Sequence, residues 1–577
     1  MSEPGPWPAV SLAQSHDILC QPGGPFEIGE AVVDGRTVRT WANAPPTLRQ
    51  VFLLSRMYGP RDFLVHEEER TSFDGFARAT LALAEALQAD GVKPGDRVAI
   101  AMRNLPEWPV AYFATVLVGG IAVPLNAWWT GAELQYGLRD SGASVLLADA
   151  ERFERVGGRL GDCPELRTTW VSRSGGAAAG ARRLEAVIGA VGDWAVVDER
   201  PMPKVELTPE TDTAIFYTSG TTGRPKGALG THRNAVGSLV AGMFSLARAY
   251  VRRGETPPTP DPGGPQKAIL LSIPLFHTTG CNVGLMQAVA GGAKLVMQRR
   301  FDAEDAFRLI ERERITNAGG VPAVAVQLLE HPARGRFDLS SLEGISYGGA
   351  PAPPALVRRL REAFPDALPG SGWGMTETSA THTHHMGEDY VNRPDSCGPV
   401  TPVSALKVVG PDGAELPTGE VGELMAYGPN IVRGYWNNPE ATAETFVDGW
   451  VRTGDLGRLD EEGFCFIVDR AKDVIIRGGE NIASVEVETA LYEHPAVIDA
   501  AVVARAHPVL GEEPVAVVTL RRGETVGEDA LRDHVRARLA GFKVPAAIRF
   551  RPEALPRNAS GKILKSELKK LFVEPAS

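Results

Sequence analysis

Cysteine is scarce in this chain: five in 577 residues, at positions 20, 163, 281, 397 and 465. They are scattered, odd in number and form no C-x-x-C pair, which argues against a disulfide framework and a thiolate zinc site and fits a reducing cytoplasm. Positive charge is also short. Lys and Arg total 60 against 71 Asp and Glu, a net charge of −11, so the basic stripe of a nucleic-acid binder is missing. No apolar run is long. The most apolar stretch, residues 111–125, contains Gly119, Gly120 and Pro124 and falls short of the roughly 20 residues of a membrane-spanning helix. It reads as a buried helix followed by a strand. The first residues carry prolines and acids rather than a basic-then-apolar leader, and there is no internal repeat.

What is present is enough chain for two or more cores, with 43% hydrophobic and 23% charged residues, ordinary for a globular protein. After a Pro- and Gly-rich arm to about Thr47, helical and strand patterns alternate. Phe76, Leu81, Leu83 and Leu87 share a helical face; residues 96–102 and 144–149 read as buried strands. This predicts an α/β body with a largely parallel sheet. Residues 175–183 and 254–266 are low-complexity surface loops. From Ser404 the pattern turns to short strands and turns, a small β-rich subdomain. Residues beyond about 470 form a separate α+β unit of about a hundred residues, a common domain size, with helices near 484–493 and 529–539 and strands near 497–503 and 514–520. The expected division is 1–469 and 470–577.

The most particular stretch is Tyr217-Thr218-Ser219-Gly220-Thr221-Thr222-Gly223-Arg224-Pro225-Lys226-Gly227. A strand pattern precedes it at 213–216 and a helical one follows from Thr231 to about Tyr250. Glycines permit close backbone approach, and amides, hydroxyls and a lysine together suit phosphate oxygens. It is not a Walker A loop, because Lys226 is followed by Gly227 rather than Ser or Thr. Further motifs follow: Phe276-His277-Thr278-Thr279-Gly280, Tyr347-Gly348-Gly349-Ala350-Pro351, Gly372-Trp373-Gly374-Met375-Thr376-Glu377, Arg452-Thr453-Gly454-Asp455, Asp469-Arg470-Ala471-Lys472, Gly478-Gly479-Glu480-Asn481, and Asn558-Ala559-Ser560-Gly561-Lys562.

In this order the motifs resemble the adenylate-forming superfamily, in its acyl-CoA synthetase branch, over about residues 48–570. The resemblance implies a large N-terminal domain of stacked α/β sheets and a smaller, mobile C-terminal domain. It implies that Thr218 to Gly223 and Lys226 hold the phosphates of ATP. Gly349, Ala350, Pro351 and Trp373 would enclose adenine, Trp373 standing where tyrosine is more usual. Thr376 would contact the α-phosphate and Glu377 would hold Mg²⁺, which suits a carboxylate with phosphate oxygens. Asp455 and Arg470 would hold the ribose, a carboxylate accepting both hydroxyls. Lys472 would be the hinge and Lys562 the catalytic lysine, brought from the second domain by closure. His277, Gly348 and Gly372 would border the acyl pocket and CoA gate, and Gly478 and Gly479 the CoA tunnel. His382, His384 and His385 match no standard metal spacing and are placed beside the acyl pocket.

The implied reaction is ATP-dependent activation of a carboxylic acid to an acyl-adenylate, then transfer to CoA. The expected acid is a fatty acid, with an aryl acid or a carrier-protein acceptor as alternatives. An amino-acid-activating domain is disfavoured because residues 278–282 offer no aspartate for an α-amine. A luciferase-type oxygenase and a catalytically dead nucleotide scaffold are the other readings, the latter opposed by Glu377, Asp455, Arg470 and Lys562. The expected partners are small molecules alone; the oligomeric state is left open, a homodimer included.

Overall fold

The computed structural model describes residues 7–176, 180–218, 224–259, 261–350, 352–558 and 561–572. Two sheets, each of eight described strands, form the body. The first orders its strands Gly434–Tyr435, Gly227–Thr231, Asp212–Tyr217, Ile121–Pro124, Arg97–Ala101, Val145–Asp149, Thr168–Ser172 and Arg182–Arg183. The second orders Thr383–Met386, Leu368–Trp373, Gly344–Gly348, Asn317–Gly320, Ala268–Leu271, Lys294–Met297, Asp62–His66 and Glu69–Ser72. Pairing is parallel through both centres, as helix-connected strands covered on both faces require; it is antiparallel at both ends of the second sheet and at the Gly434–Tyr435 end of the first, whose other end, Thr168–Ser172 with Arg182–Arg183, is parallel.

The helices between the sheets follow from composition. Glu107–Leu117 is apolar on every side and buried along its whole length, the pattern of an interior helix. Phe73–Ala89 starts where the Ser72 hydroxyl accepts the Gly75 amide, a standard N-cap. Phe52, Phe63, Phe73, Phe76 and Phe113 pack edge to face and offset at 4.4–5.8 Å, the geometry aromatic quadrupoles favour.

One element differs from the sequence reading. The hydroxyl-rich loop does not run from strand into helix. Residues 227–231 pair antiparallel with residues 212–217, and the Thr218 amide donates to the Lys226 carbonyl at 2.8 Å. The loop therefore closes a hairpin. The following helix, His232–Arg252, starts a strand later under a capping box of Thr231 and Asn234, so its N-terminal amides are spent internally.

A smaller sheet orders Gly398–Pro399, Phe464–Arg470, Trp450–Leu459, Gly422–Tyr427 and Ala405–Val409. The C-terminal unit has its own sheet, with Val497–His507 and Gly511–Leu520 as its long hairpin. Ile475, Val487, Leu491, Val502, Val518 and Leu531 fill its core. Two polar clusters join it to the rest. Glu330 accepts from both Arg359 and Arg521. Asp469 accepts the Ser484 amide and hydroxyl, and Lys565 reaches Ser484 Oγ at 2.6 Å and Glu488 at 2.8 Å.

Candidate functional site

A cavity of about 2280 Å³ lies between the body and the C-terminal unit, lined by Gly349, Ala350, Trp373, Asp455, Arg470, Lys472 and Lys562 among others. Asp455 and Arg470 face each other across the pairing of their strands, and Arg470 Nε lies 3.2 Å from Asp455 Oδ1. The other carboxylate oxygen accepts the Trp373 indole N–H at 2.8 Å. The tryptophan thus keeps a polar anchor that a tyrosine hydroxyl would have provided differently.

Glu377 sits in the short turn Thr376–Thr378 and is buried. Burial raises its pKa, opposed by a hydrogen bond from Tyr435 and by the charges of Lys562 and Lys226. Tyr435 donates to Glu377 Oε1 at 2.5 Å, and Lys226 Nζ lies 4.9 Å from the centre of the Tyr435 ring. Tyr435 therefore links two residues singled out in the sequence, although it was not singled out itself. Its place after Gly434 in an irregular stretch is the only signal the sequence offers. With one carboxylate oxygen held by Tyr435, Glu377 keeps its other oxygen to offer a Mg²⁺ ion that would take its remaining ligands from phosphate oxygens and water, phosphate charge offsetting the nearby Lys226 and Lys562. The turn is held tightly: Ser379 and Ala380 have φ of 55° and 98°, and a Cβ on Gly374 would fall 1.7 Å from the Ala380 carbonyl oxygen. Such left-handed backbone persists only where its surroundings over-determine it.

Lys562 enters this site from the C-terminal unit. Burial chiefly, and then Arg470, lower its pKa to about 8, against the pull of Asp455 and Glu377. Its amide donates to Asn558 Oδ1 at 3.0 Å and its carbonyl accepts the Asn558 amide at 2.9 Å. Gly561, at φ +80°, packs so closely that a Cβ there would lie 2.6 Å from Val321 Cγ2. Lys472 lies two residues beyond Arg470; burial and the Arg470 charge lower its pKa.

His277 is held neutral, its pKa lowered to about 4 by burial and by Lys562. Its buried Nε2 has no hydrogen-bond partner among the described residues. His384, on the edge strand beside Gly372, is likewise lowered to about 4 by burial and Arg248, and its Nδ1 is also buried without a partner. His382 is spent on the Ala405 carbonyl and the Asn430 side chain; His385 reaches the Ser396 carbonyl through Nε2, and its buried Nδ1 has no partner among the described residues.

Gly348 and Gly372, expected to border the acyl pocket, have a physical reason of their own. A Cβ on Gly348 would come 2.9 Å from the Gly372 carbonyl oxygen, and one on Gly372 would come 2.8 Å from that of Thr383. Strand packing, rather than an open channel, demands them. Gly478 and Gly479, at φ +60° and +90°, form the two-residue turn joining Ile475–Arg477 to Glu480–Ile482, which requires positive φ at both places. Ser219, Gly220, Thr221, Thr222, Gly223 and Pro351 lie outside the described residues.

The family described as AMP-binding enzyme matches residues 54–436, and the AMP-binding enzyme C-terminal domain matches residues 486–562. A feruloyl-CoA synthase of Amycolatopsis is 35% identical over 514 residues, covering 88% of this chain and 95% of that protein. A long-chain-fatty-acid–CoA ligase of Mycobacterium tuberculosis is 32% identical over 491 residues, covering 85% and 90%. Among solved structures, the o-succinylbenzoate CoA synthetase of Bacillus subtilis in complex with its acyl-adenylate aligns with a TM-score of 0.73 at 30% identity, covering 91% of this chain and 98% of that one. An anthranilate CoA ligase with anthranoyl-AMP aligns at 0.78 and 25% identity, covering 92% and 97%.

Proposed function

Because this chain belongs to the AMP-binding enzyme family and is an AMP-forming acid–thiol ligase using ATP and CoA, we propose that its acid is an oxygenated aromatic carboxylic acid rather than a plain fatty acid. The observation that carries this is the pair of neutral imidazoles, His277 and His384, each with a buried ring nitrogen lacking a protein partner. A buried polar group left unpaired costs about 1–3 kcal/mol. A hydroxyl, methoxy or amino group on the acid relieves that cost and an alkyl chain does not. Feruloyl-CoA synthase, named for an oxygenated aryl acid, and anthranilate CoA ligase, named for an amino-substituted one, are among the similar proteins.

We assign the roles as follows. The substrate carboxylate oxygen bonds to the α-phosphorus as the bond to pyrophosphate breaks. Lys562, between Asp455 and Glu377, neutralises charge on the carboxylate and α-phosphate, and Thr376 contacts that phosphate. Preorganised charge of this kind is commonly the largest part of catalysis. Thr218 to Gly223 and Lys226 hold the β- and γ-phosphates; Glu377 would hold Mg²⁺, which when bound offsets phosphate charge. Gly349, Ala350, Pro351 and Trp373 enclose adenine, and Asp455 with Arg470 holds the ribose. The domain boundary falls at 469/470, with Lys472 the pivot on which the small domain withdraws Lys562 and brings Gly478 and Gly479 to the thiol path. The thiol sulfur then bonds to the acyl carbon, AMP leaves and the thiol proton passes to solvent. A thiol with a pKa near ~8.5 needs no dedicated base. Among the described residues no helix is long and apolar enough to cross a membrane, and we place the enzyme in the cytoplasm with small molecules as partners.

The test is product mass spectrometry and kcat/KM across hydroxylated and methoxylated benzoates and cinnamates and saturated fatty acids, with ATP, Mg²⁺ and CoA. The expected result is a preference for an oxygenated aryl acid of about tenfold or more, the scale on which a hydrogen-bonding pocket discriminates, reduced in His384→Phe. A higher kcat/KM for a saturated fatty acid overturns this reading and restores the one drawn from sequence.

A further inference from the structure

Two of the five cysteines meet although 68 positions separate them. Cys397 precedes the edge strand Gly398–Pro399, and Cys465 stands opposite Gly398 on Phe464–Arg470. The Cys397 amide donates to the Cys465 carbonyl at 2.9 Å, and the Cys397 thiol reaches that carbonyl at 3.3 Å. The two thiols also hydrogen-bond to each other. The Ser396 hydroxyl donates to the same carbonyl at 2.8 Å and accepts the Gly398 amide at 3.0 Å, which fixes the backbone around the pair. Cys465 is fully buried, whereas Cys397 is half-buried and lines the cavity that Lys562 enters. Cys20, Cys163 and Cys281 lie in other parts of the core.

The pair sits against the wall of the site. Cys397, Cys465 and Ile467 pack in one cluster with Trp373, whose indole N–H holds the Asp455 carboxylate. The strand of Cys465 runs on to Arg470, which meets that carboxylate from the other side. New bonding between the sulfurs is therefore felt by Trp373 and Asp455 without contact to any substrate.

We propose that Cys397 and Cys465 form an oxidation site, reached by a small hydroperoxide through the cavity, whose conversion to a disulfide weakens the binding of ATP. The Cys397 thiolate attacks a peroxide oxygen and the O–O bond breaks. Cys397 becomes a sulfenic acid, and the departing hydroxide takes up the proton that Cys397 lost. The Cys465 sulfur then bonds to the Cys397 sulfur, the S–O bond breaks, and the second hydroxyl leaves with the Cys465 proton. Two thiols and one hydrogen peroxide thus give one disulfide and two waters. The hydrogen bond with Cys397, and then burial, hold the Cys465 thiol well above its usual range, so it keeps its proton and the half-buried Cys397 is the thiol that meets the oxidant. In a reducing compartment the pair rests as thiols, and thiol–disulfide exchange with a dithiol restores it. The effect on ATP rests on the adenine and ribose roles assigned above to Trp373 and Asp455.

The experiment treats the wild type, Cys397→Ser and Cys465→Ser with hydrogen peroxide, then reads peptide mass spectra and KM for ATP by pyrophosphate exchange, before and after dithiothreitol. In the wild type the peptides carrying Cys397 and Cys465 should become joined with the loss of two hydrogens, more slowly when AMP is present. KM for ATP should rise about tenfold, the scale of one hydrogen bond to a charged group, and return with dithiothreitol. Both variants should keep the untreated KM after peroxide, and Cys465→Ser should stop at a sulfenic acid on Cys397 that dimedone traps. Cys397→Ser, at the half-buried position, keeps the test open should Cys465→Ser fail to fold. Oxidation that falls first on Cys20, Cys163 or Cys281, or a loss of ATP affinity that persists in Cys397→Ser, overturns the site. A disulfide that forms with KM for ATP unchanged overturns its effect; if Trp373→Ala and Asp455→Ala also leave that KM unchanged, the roles assigned to them fall as well.

Discussion

Lys562 offers a direct perturbation by pH. Its amine is held at about 8, against an ordinary 10.5. That difference corresponds to roughly 3 kcal/mol of destabilisation of the ammonium form in the unliganded site. If the ammonium is what stabilises the developing charge, the sign follows: the active form exists below about pH 8 and is lost above it. The quantity that reports the free enzyme is kcat/KM for ATP. Measured by ATP–pyrophosphate exchange, it should be level from neutrality to about pH 8 and then fall about tenfold per pH unit, as loss of one proton dictates. Saturating ATP should move the descending limb upward, because the phosphates favour the charged form. Lys562→Arg keeps its charge at every accessible pH and should retain partial activity with no limb below pH 9.5. Lys562→Ala should lower exchange by ~10²–10³, the usual cost of one such contact, while thioester formation from supplied acyl-adenylate stays within a few-fold. A wild-type profile level to pH 9.5, or the same limb in Lys562→Arg, would refute the assignment; so would equal loss in both half-reactions of Lys562→Ala.

Three other perturbations test separate features of the structure. Lys472→Pro should slow thioester formation more than adenylation in single-turnover measurements; the reverse would move the pivot elsewhere. Glu330→Ala removes the carboxylate shared by Arg359 and Arg521, so adenylation should slow several-fold while transfer from supplied adenylate is unchanged or faster, and equal slowing would count against a role in holding the closed arrangement. Asp389→Ala leaves the buried Arg252, now 2.9 Å from Asp389, without its counter-charge. Breaking a buried pair from one side typically costs about 3–5 kcal/mol, read as a lowered denaturation midpoint; a change under 1 kcal/mol would mean the guanidinium finds another partner.

The parts of this molecule that sequence made legible are those written in local pattern. The strand Arg97–Ala101 and the helix Phe73–Ala89 follow from runs and periodicities that stand on their own. The convergence of Glu377, Asp455 and Lys562 was foreseeable only because each sits in a motif whose order resembles a family's. What stayed hidden depends on partners far along the chain. The strand Gly227–Thr231 has two glycines and weak strand propensity, and it exists because residues 212–217 offer it a ladder across the loop. Gly348 and Gly372 were expected beside a pocket, since sequence does not say that a carbonyl of the neighbouring strand stands where each Cβ would be. Tyr435 finds Glu377 from 58 positions away, and Lys565 finds Ser484 from 81. No periodicity reports such meetings.

The contact between Gly561 and Val321 carries a consequence for how this enzyme could be silenced. The loop that delivers Lys562 passes Val321 with no room for a single methyl group. A side chain at 561 would leave each domain's core intact, yet hold the lysine back by the thickness of one carbon and at a φ that favours glycine. If Lys562 serves adenylation as proposed, such a variant should lose that first step while transfer from a supplied acyl-adenylate continues. One hydrogen atom on a turn residue thus stands between an enzyme that makes its own activated acid and one able only to pass on an acid activated elsewhere.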